Sequence, residues 1–342
     1  MVKARFGGVA LAAAVALTAP ATVGAAEWKF ALEEAIHEVQ GVYATKFKEV
    51  VEAESDGEIT VTIYPYGSLG ESAELTELTQ AGVLQLANAS PGFTGSIIPE
   101  VQVFSVPYLL PEDDAVLNEF FRNSQLVREG FDPLFEQQGL AVVDFYPEGE
   151  FVMTTKEPVN AKEDLEGVKF RVMTSPLLVA TYDAFGATPT PLPWGEVYSS
   201  LQLNMIGGQE NPMFFVESTK MYEVTDYIVF TGHNTYTTTI VGNLSWYEGL
   251  SDDEREILRT AQSAAFEHIV EYQETLAEDS LDKILEAKPE MEVIRLDDAQ
   301  REPFRRAAEA VEAEYVEMAG GQAAEILEQF KADVAAARAA VE

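Results

Sequence analysis

Residues 169–212 read KFRVMTSPLLVATYDAFGATPTPLPWGEVYSSLQLNMIGGQENP, and this segment is the most informative about the fold. Residues 169–173 place apolar side chains on both sides of Arg171 and predict a strand. Residues 177–185 and 194–202 have the apolar spacing of helices. A strand followed by helices is typical of an α/β unit, and we expect this unit to begin near Phe151.

A first unit of the same kind precedes it along the chain. Its predicted strands are residues 28–32, 59–64 and 140–146, and its predicted helices are residues 36–53, 72–81 and 113–138. Residues 84–89 and 101–108 are further strand or loop pieces. This alternation predicts an α/β fold with parallel sheets and helices on both faces.

The last third of the chain predicts connections between the two units. Residues 227–230 and 237–241 are predicted strands that return toward the first unit. Residues 251–287 predict one continuous amphipathic helix with Ser251 as its N-cap and acidic residues in its first turn. A helix of about 35 residues is roughly 50 Å long, more than one domain needs, so we expect it to brace two domains.

The N-terminus predicts an export signal over residues 1–26. Lys3 and Arg5 precede an apolar run at residues 6–17, and Gly24 opens a small-residue cleavage site before Glu27. The apolar run is too short to span a bilayer, which takes about 20 residues. We therefore expect the mature chain to work in the periplasm.

Charge and composition exclude several classes of partner and site. The chain has 58 acidic and 22 basic residues, a formal net charge of −36, and removing Lys3 and Arg5 with the signal gives −38. Such a chain is repelled by nucleic acids and by anionic membranes. The acidic excess lies mostly on predicted helical faces, and salt screens its self-repulsion. The chain has no cysteine, which excludes disulfides, thiolate metal sites and cysteine nucleophiles.

Residues that could carry catalysis or bind a metal are few. The histidines are His37, His233 and His268, and no phosphate-binding, dinucleotide-binding or serine-nucleophile motif is present. Glu34 and His37 are one helical turn apart but have no companion ligand nearby. We therefore predict no metal, no cofactor and no enzymatic activity.

Three ordered segments resemble the substrate-binding proteins of tripartite ATP-independent periplasmic (TRAP) transporters, the DctP-type family. They are KFRVM at 169–173, FGATPTPLPWGEVY at 185–198 and GQENP at 208–212, and the likeness covers essentially the whole mature chain. The resemblance implies a two-domain periplasmic binding protein fold, with crossing strands, a long domain-spanning helix and a ligand cleft between the domains. Domain I would comprise residues 27–149 plus about 237–275, and domain II residues 150–236 plus about 276–342.

The resemblance also implies ligand-binding residues. Arg171 matches the arginine that clamps the solute's carboxylate with parallel N–H donors. Asn211 matches a cleft asparagine that donates to the same carboxylate. The chain departs from the family pattern at Gly207, where an aspartate is usual.

Further stretches resemble the branch of the family that binds ectoine, a small ring bearing a carboxylate and a delocalised amidinium cation. They are Glu33-Glu34 and residues 85–96, 146–150 and 187–198. The resemblance implies that Glu34 pairs with the amidinium. It also implies that aromatic faces attract the cation, and the matching aromatic residues are Phe93, Trp194, Phe215 and Tyr236.

Several alternatives remain open at this point. Departures from the branch pattern at Phe215 and near Tyr236 leave hydroxyectoine or another zwitterion as the solute. A mono- or dicarboxylate is the rival ligand, although Glu34 would repel a second anion. A periplasmic enzyme and a receptor-docking sensor are further alternatives. The expected partners are the membrane subunits of a TRAP transporter, and the expected state is a monomer.

Overall fold

The computed structural model describes Met1 and residues 25–342, so Lys3, Arg5, Gly24 and the apolar run at 6–17 lie outside the described residues. The first half alternates strands and helices, as the sequence predicts. Its elements are β1 (Ala26–Ala31), α1 (Val39–Glu54), β2 (Ile59–Tyr64), α2 (Ser72–Gln80), β3 (Leu86–Asn88), α3 (Pro91–Thr94), a 3-10 segment (Pro99–Ser105), α4 (Asp114–Asn123), a π-helical turn (Leu126–Gly130), α5 (Asp132–Glu136) and β4 (Leu140–Thr155).

The second half continues the alternation and ends in a group of helices. Its elements are β5 (Lys169–Val172), α6 (Pro176–Ala184), β6 (Thr188–Pro191), α7 (Val197–Gln202), β7 (Gly208–Pro212), α8 (Met213–Ser218), β8 (Tyr227–Asn243), α9 (Leu244–Gly249), α10 (Asp252–Gln273), α11 (Leu276–Ala287), β9 (Glu292–Arg295), α12 (Asp298–Ala319) and α13 (Ala323–Val341). Short 3-10 turns lie at Lys162–Leu165, Trp194–Glu196 and Met221–Glu223.

The strands form one mixed sheet in the order β2-β1-β3-β8-β4-β7-β5-β6, with β9 beside β8. The prediction of parallel sheets is wrong for the centre of this sheet, where β8 is antiparallel to β3 and β4, and β4 is antiparallel to β7. The reason is that β4 and β8 are single long strands that cross between the halves in opposite directions. The short strands predicted at 140–146, 227–230 and 237–241 are parts of these two strands.

The two crossing strands bend where they pass between the halves. Their register shifts between Pro147 and Gly149 and again between Glu150 and Val152. Gly149 (φ 115°) and Gly232 (φ 64°) have positive φ angles, which residues with a Cβ rarely adopt. Bulges of this kind increase local bending and twist. The crossing therefore joins the halves through a bent, two-stranded connection.

The predicted helix over residues 251–287 begins as expected but is interrupted once. The Oγ of Ser251 accepts a hydrogen bond from the N–H of Glu254 at 3.3 Å, and Glu254 Oε2 accepts from the N–H of Ser251 at 2.7 Å. Thr275 has φ −118°, outside the helical range, and its hydroxyl donates to Asp279 Oδ2 at 2.9 Å. This segment therefore forms two helices. Helix α10 packs on α1, and helix α11 packs on α8.

Two other predicted elements differ from the structure. Residues 101–108, predicted as strand or loop, lie partly in a 3-10 segment (Pro99–Ser105). The helix predicted at 113–138 is divided at Ser124, whose Oγ accepts a hydrogen bond from the N–H of Val127 at 3.1 Å. A serine that caps a new turn in this way ends the preceding helix.

Hydrophobic residues form one large cluster and two smaller ones. The large cluster joins residues from the first half with Val311, Tyr315 and Phe330, and α13 packs against α4. The smaller clusters lie mainly among residues 151–304. The domain division stays a prediction, and this packing argues for placing α13 with the first domain. Among residues 25–342, no helix has both the length and the apolar character needed to cross a membrane.

Candidate ligand-binding site

A small cavity lies between the two halves, where the carboxyl ends of parallel strands from each half meet. This edge is where open α/β sheets bind ligands. The segments after β1, β3 and β6, the start of α2, and the ends of β5 and β7 contribute to its walls. The lining residues are Glu33, Glu34, Ser72, Phe93, Arg171, Met173, Trp194, Asn211, Pro212, Phe215 and Tyr236.

Arg171 supplies the positive charge of the cavity. It lies on β5, is 2% exposed, and is the one basic side chain among the described lining residues. Its Nε and Nη2 atoms donate to the carbonyl oxygen of Leu192 at 3.1 and 3.0 Å. This contact holds the guanidinium plane, while Nη1 has no partner among the described residues. Burial lowers the pKa of Arg171 to about 10, so it remains charged at neutral pH.

Asn211 lies on β7 and lines the same cavity as Arg171. Its Nδ2 atom donates a hydrogen bond to Gln209 Oε1, and Gln209 in turn donates to the Thr154 hydroxyl at 2.7 Å. An amide nitrogen has two hydrogens, so one donor of Asn211 remains for a ligand. The buried chain of hydrogen bonds fixes the orientation of this side chain.

Two carboxyl groups face the cavity from the segment after β1. Glu33 is 6% exposed and Glu34 is 5% exposed. Ser90 donates its N–H to Glu33 Oε2 at 3.1 Å, and its hydroxyl contacts both Glu33 and, at 2.6 Å, the hydroxyl of Tyr236. Glu34 Oε2 accepts from the N–H of Gln40 at 3.0 Å. Burial raises the pKa of both glutamates, because a charged carboxylate is poorly solvated there.

Aromatic rings complete the walls. Trp194 and Phe215 contact each other with ring centroids 4.7 Å apart, and the guanidinium carbon of Arg171 lies 5.6 Å from the Trp194 ring centroid. Tyr236 packs edge-on against Phe151 at 5.4 Å. Phe93, on α3, contributes from the first half. The rings line the same cavity as the arginine and the two glutamates.

A buried cluster lies behind the arginine. Glu210 Oε2 and His233 Nε2 are 2.7 Å apart, and Tyr182 donates its hydroxyl proton to the same carboxylate. All three side chains are buried. Glu210 partly offsets the effect of burial on the pKa of Arg171, which places its negative charge near the guanidinium. This cluster helps to stabilise the arginine's charge within the protein.

Every residue predicted to bind ligand lies in this one lining: Glu34, Phe93, Arg171, Trp194, Asn211, Phe215 and Tyr236. Their roles in binding stay a prediction. The lining also contains four residues that were not predicted to bind ligand: Glu33, Ser72, Met173 and Pro212. Glu33 could have been predicted from the sequence, because it directly precedes Glu34 after a buried strand. Ser72 could not, because its only sequence feature is its position at the start of a helix. In the described part of the chain, no cluster of His, Cys, Asp or Glu is arranged to hold a metal ion.

Known proteins similar to this chain are named for solute binding. It is 56% identical over 331 residues to the ectoine/5-hydroxyectoine-binding periplasmic protein UehA of Ruegeria pomeroyi, covering 97% of each chain. It is 48% identical to the ectoine-binding periplasmic protein TeaA of Halomonas elongata, covering 90% of each. A high-resolution structure of the periplasmic ectoine-binding protein of the TeaABC TRAP transporter from that organism matches with a TM-score of 0.88 at 47% identity, covering 91% of this chain and 99% of that one.

The apo-state structure of the same Halomonas elongata protein matches with a TM-score of 0.80 at 46% identity, covering 91% of this chain and 99% of that one. The sequence model of the family described as bacterial extracellular solute-binding protein, family 7 (DctP), matches residues 30–318. These matches extend over both halves of the molecule and the cavity between them. The chain therefore belongs to family 7 of the bacterial extracellular solute-binding proteins, the DctP family.

Proposed function

We propose that this protein captures ectoine or 5-hydroxyectoine in the periplasm and delivers it to the membrane subunits of a TRAP transporter. The observation that carries the proposal is the arrangement of charge in the cavity, where buried Arg171 lies in the same small space as buried Glu33 and Glu34. A ligand with one carboxylate and one delocalised cation can pair its carboxylate with Arg171 and its cation with the glutamates. The similarity to two proteins named for ectoine binding supports the same solute.

The charges argue against a ligand that carries only carboxylates. Arg171 can pair with one carboxylate, but a second would lie near Glu33 and Glu34 in a space shielded from water. Like charges at such distances repel strongly when solvent cannot screen them. The delocalised cation of ectoine avoids this cost, and the faces of Trp194, Phe215 and Phe93 add attraction for it.

Closure of the cleft around the ligand is the mechanism that the structure supports. Contacts already join the halves beside the cavity: Ser175 donates its hydroxyl to Gln102 Oε1 at 2.6 Å, and Ser218 donates its hydroxyl to Glu38. A ligand that touches residues from both halves binds the closed form better than the open form. It therefore shifts the equilibrium toward closure, with bending at β4 and β8.

A binding role also fits the site better than an enzymatic one. The polar groups that line the cavity are two glutamates, an arginine, an asparagine, a serine and a tyrosine. Among the described residues, neither Ser72 nor Ser90 forms a hydrogen bond with a histidine. Neither serine is therefore arranged as an activated nucleophile. The residues instead provide complementary charge and ring surfaces, which hold a solute without changing it.

A titration with a panel of solutes tests the proposal. We expect ectoine and 5-hydroxyectoine to bind the unfolded-and-refolded, ligand-stripped protein, and succinate and pyruvate to bind at least about tenfold more weakly, because they lack a cation. Isothermal calorimetry in low and high salt measures this directly. Chromatography of the recovered solute checks that it is unchanged. Preferential binding of succinate would overturn the proposed ligand, and conversion of ectoine would revive the enzymatic alternative.

A further inference from the structure

A third buried carboxyl group lies behind Glu34 and does not line the cavity. Glu148 is on β4 at the crossing between the halves and is 1% exposed. Gln40 connects it to Glu34: the Gln40 N–H donates to Glu34 Oε2 at 3.0 Å, and Gln40 Nε2 donates to Glu148 Oε1 at 3.1 Å. The second oxygen of Glu148, Oε2, is buried and has no partner among the described residues. Gln40 thus bridges the two carboxyl groups, and the negative charge of Glu148 lies near enough to Glu34 to raise its pKa.

The charges around this pair do not balance while both groups are ionised. Glu33 and Glu38 are also buried nearby, and Arg171 is the basic side chain in the cavity lining. The other titratable groups that face the pair include tyrosines from three elements, whose pKa values are raised: Tyr146 from β4, Tyr236 from β8 and Tyr272 from α10. These tyrosines are neutral at physiological pH. The pair therefore has no nearby cation that matches its second negative charge.

A shared proton resolves this imbalance in the empty protein. A protonated carboxyl group donates its O–H to the neighbouring carboxylate, which gives Glu148 Oε2 the partner that it otherwise lacks. Two carboxyl groups that share a buried site commonly hold one proton between them. Burial and the adjacent carboxylate raise the pKa of Glu34 well above its usual value, and burial raises that of Glu148 to about 7.

We propose that Glu148 and Glu34 share one proton in the ligand-free protein and release it when the ligand's cation binds beside Glu34. The O–H bond of the pair breaks, the proton passes to the solvent, and the cation balances the charge that it leaves. Glu148 is then a positioning residue, which acts on the ligand through Glu34. This inference rests on the proposed function, because it requires a ligand that carries a cation.

The proposal predicts the direction in which affinity depends on pH. The bound protein holds fewer protons than the free protein, so affinity rises as pH rises toward and past the free pair's pKa. Because both pKa values are raised in the free protein and the cation lowers them in the complex, affinity rises with pH in the neutral range and then levels off. The ligand's carboxylate is ionised over this whole range, so it does not contribute to the change.

Calorimetry with ectoine in phosphate, imidazole and Tris buffers at pH 6.5 counts the released protons. The observed enthalpy depends on the buffer's ionisation enthalpy, and the slope gives the number of protons exchanged. We expect a net release of protons on ectoine binding at this pH, up to about one per ectoine bound. In Glu148→Gln we expect less than about 0.2 proton and a nearly flat affinity between pH 6 and pH 8.

Glu49→Gln is the matched control, because it makes the same replacement at an exposed glutamate of α1, away from the cavity. It should release as many protons as the unchanged protein. Ectoine binding with no proton release in the unchanged protein would overturn this inference and leave the proposed function intact. Failure of ectoine to bind would remove the proposed function as well. The proton count of the unchanged protein decides the question even if Glu148→Gln does not fold.

Discussion

Replacing Arg171 with alanine is expected to weaken ectoine binding by about a hundredfold to several thousandfold. The guanidinium is the basic group in the cavity lining and is almost completely buried. Its removal leaves the ligand's carboxylate without a charge partner in a space shielded from water, a loss of about 3 to 5 kcal/mol. Calorimetric titration at a single pH measures the change. Succinate binding should be lost as well, because the same group would hold its carboxylate.

Two further variants separate the role of Arg171 in binding from a role in folding. Arg171→Lys keeps the charge but loses the parallel donors, so we expect a smaller loss than with alanine. Arg122→Ala removes an arginine of the first half that pairs with Glu267 at 2.7 Å, outside the cavity, and should bind ectoine normally. Near-normal binding by Arg171→Ala, with its fold intact by circular dichroism, would show that the carboxylate binds elsewhere.

Replacing Glu34 with glutamine is expected to weaken ectoine binding by about 10- to 100-fold while sparing succinate. Glutamine has the same shape, and its side-chain oxygen can still accept from the N–H of Gln40. What is lost is the negative charge beside the cation, and a hydrogen bond to a charged group contributes about 1.5 to 3 kcal/mol. The ratio of the two dissociation constants is the measurement, because it cancels general effects on stability.

The selectivity of this effect is the critical result. Glu49→Gln changes a glutamate at the surface of α1 and should leave both affinities unchanged. Succinate binding should stay equal or become tighter in Glu34→Gln, since a repelling charge has gone. An equal loss for both ligands would mean that Glu34 supports the shape of the cavity and does not recognise the cation.

Local patterns in the sequence predicted much of the fold. Apolar spacing located the helix at α1 and the strand at β2, and the N-cap of α10 was predicted at the correct serine, Ser251. These features depend on residues within a few positions of each other. The same patterns did not show that β4 and β8 are continuous, because Gly149 and Gly232 interrupt the apolar alternation at the crossing. That continuity is determined by pairing between distant strands.

The candidate site shows the same division between local and distant contacts. Arg171 and Trp194 lie within segments whose likeness to a family was visible in the sequence, and both line the cavity. Glu148 could not be predicted as a neighbour of Glu34 from spacing, because its contact with Gln40 joins residues 108 positions apart. The interruption at Thr275 could not be predicted either, because the apolar spacing on both sides of it is that of one continuous helix.

The position of Trp194 also makes the intrinsic fluorescence of the protein sensitive to ligand binding. The chain has three tryptophans. Trp28 and Trp246 pack against each other in the first half with ring centroids 5.2 Å apart, whereas Trp194 forms part of the cavity wall. A solute entering the cavity therefore changes the surroundings of one indole emitter and leaves the other two as a constant background. Ultraviolet fluorescence should follow solute capture in real time, without a dye or an attached label.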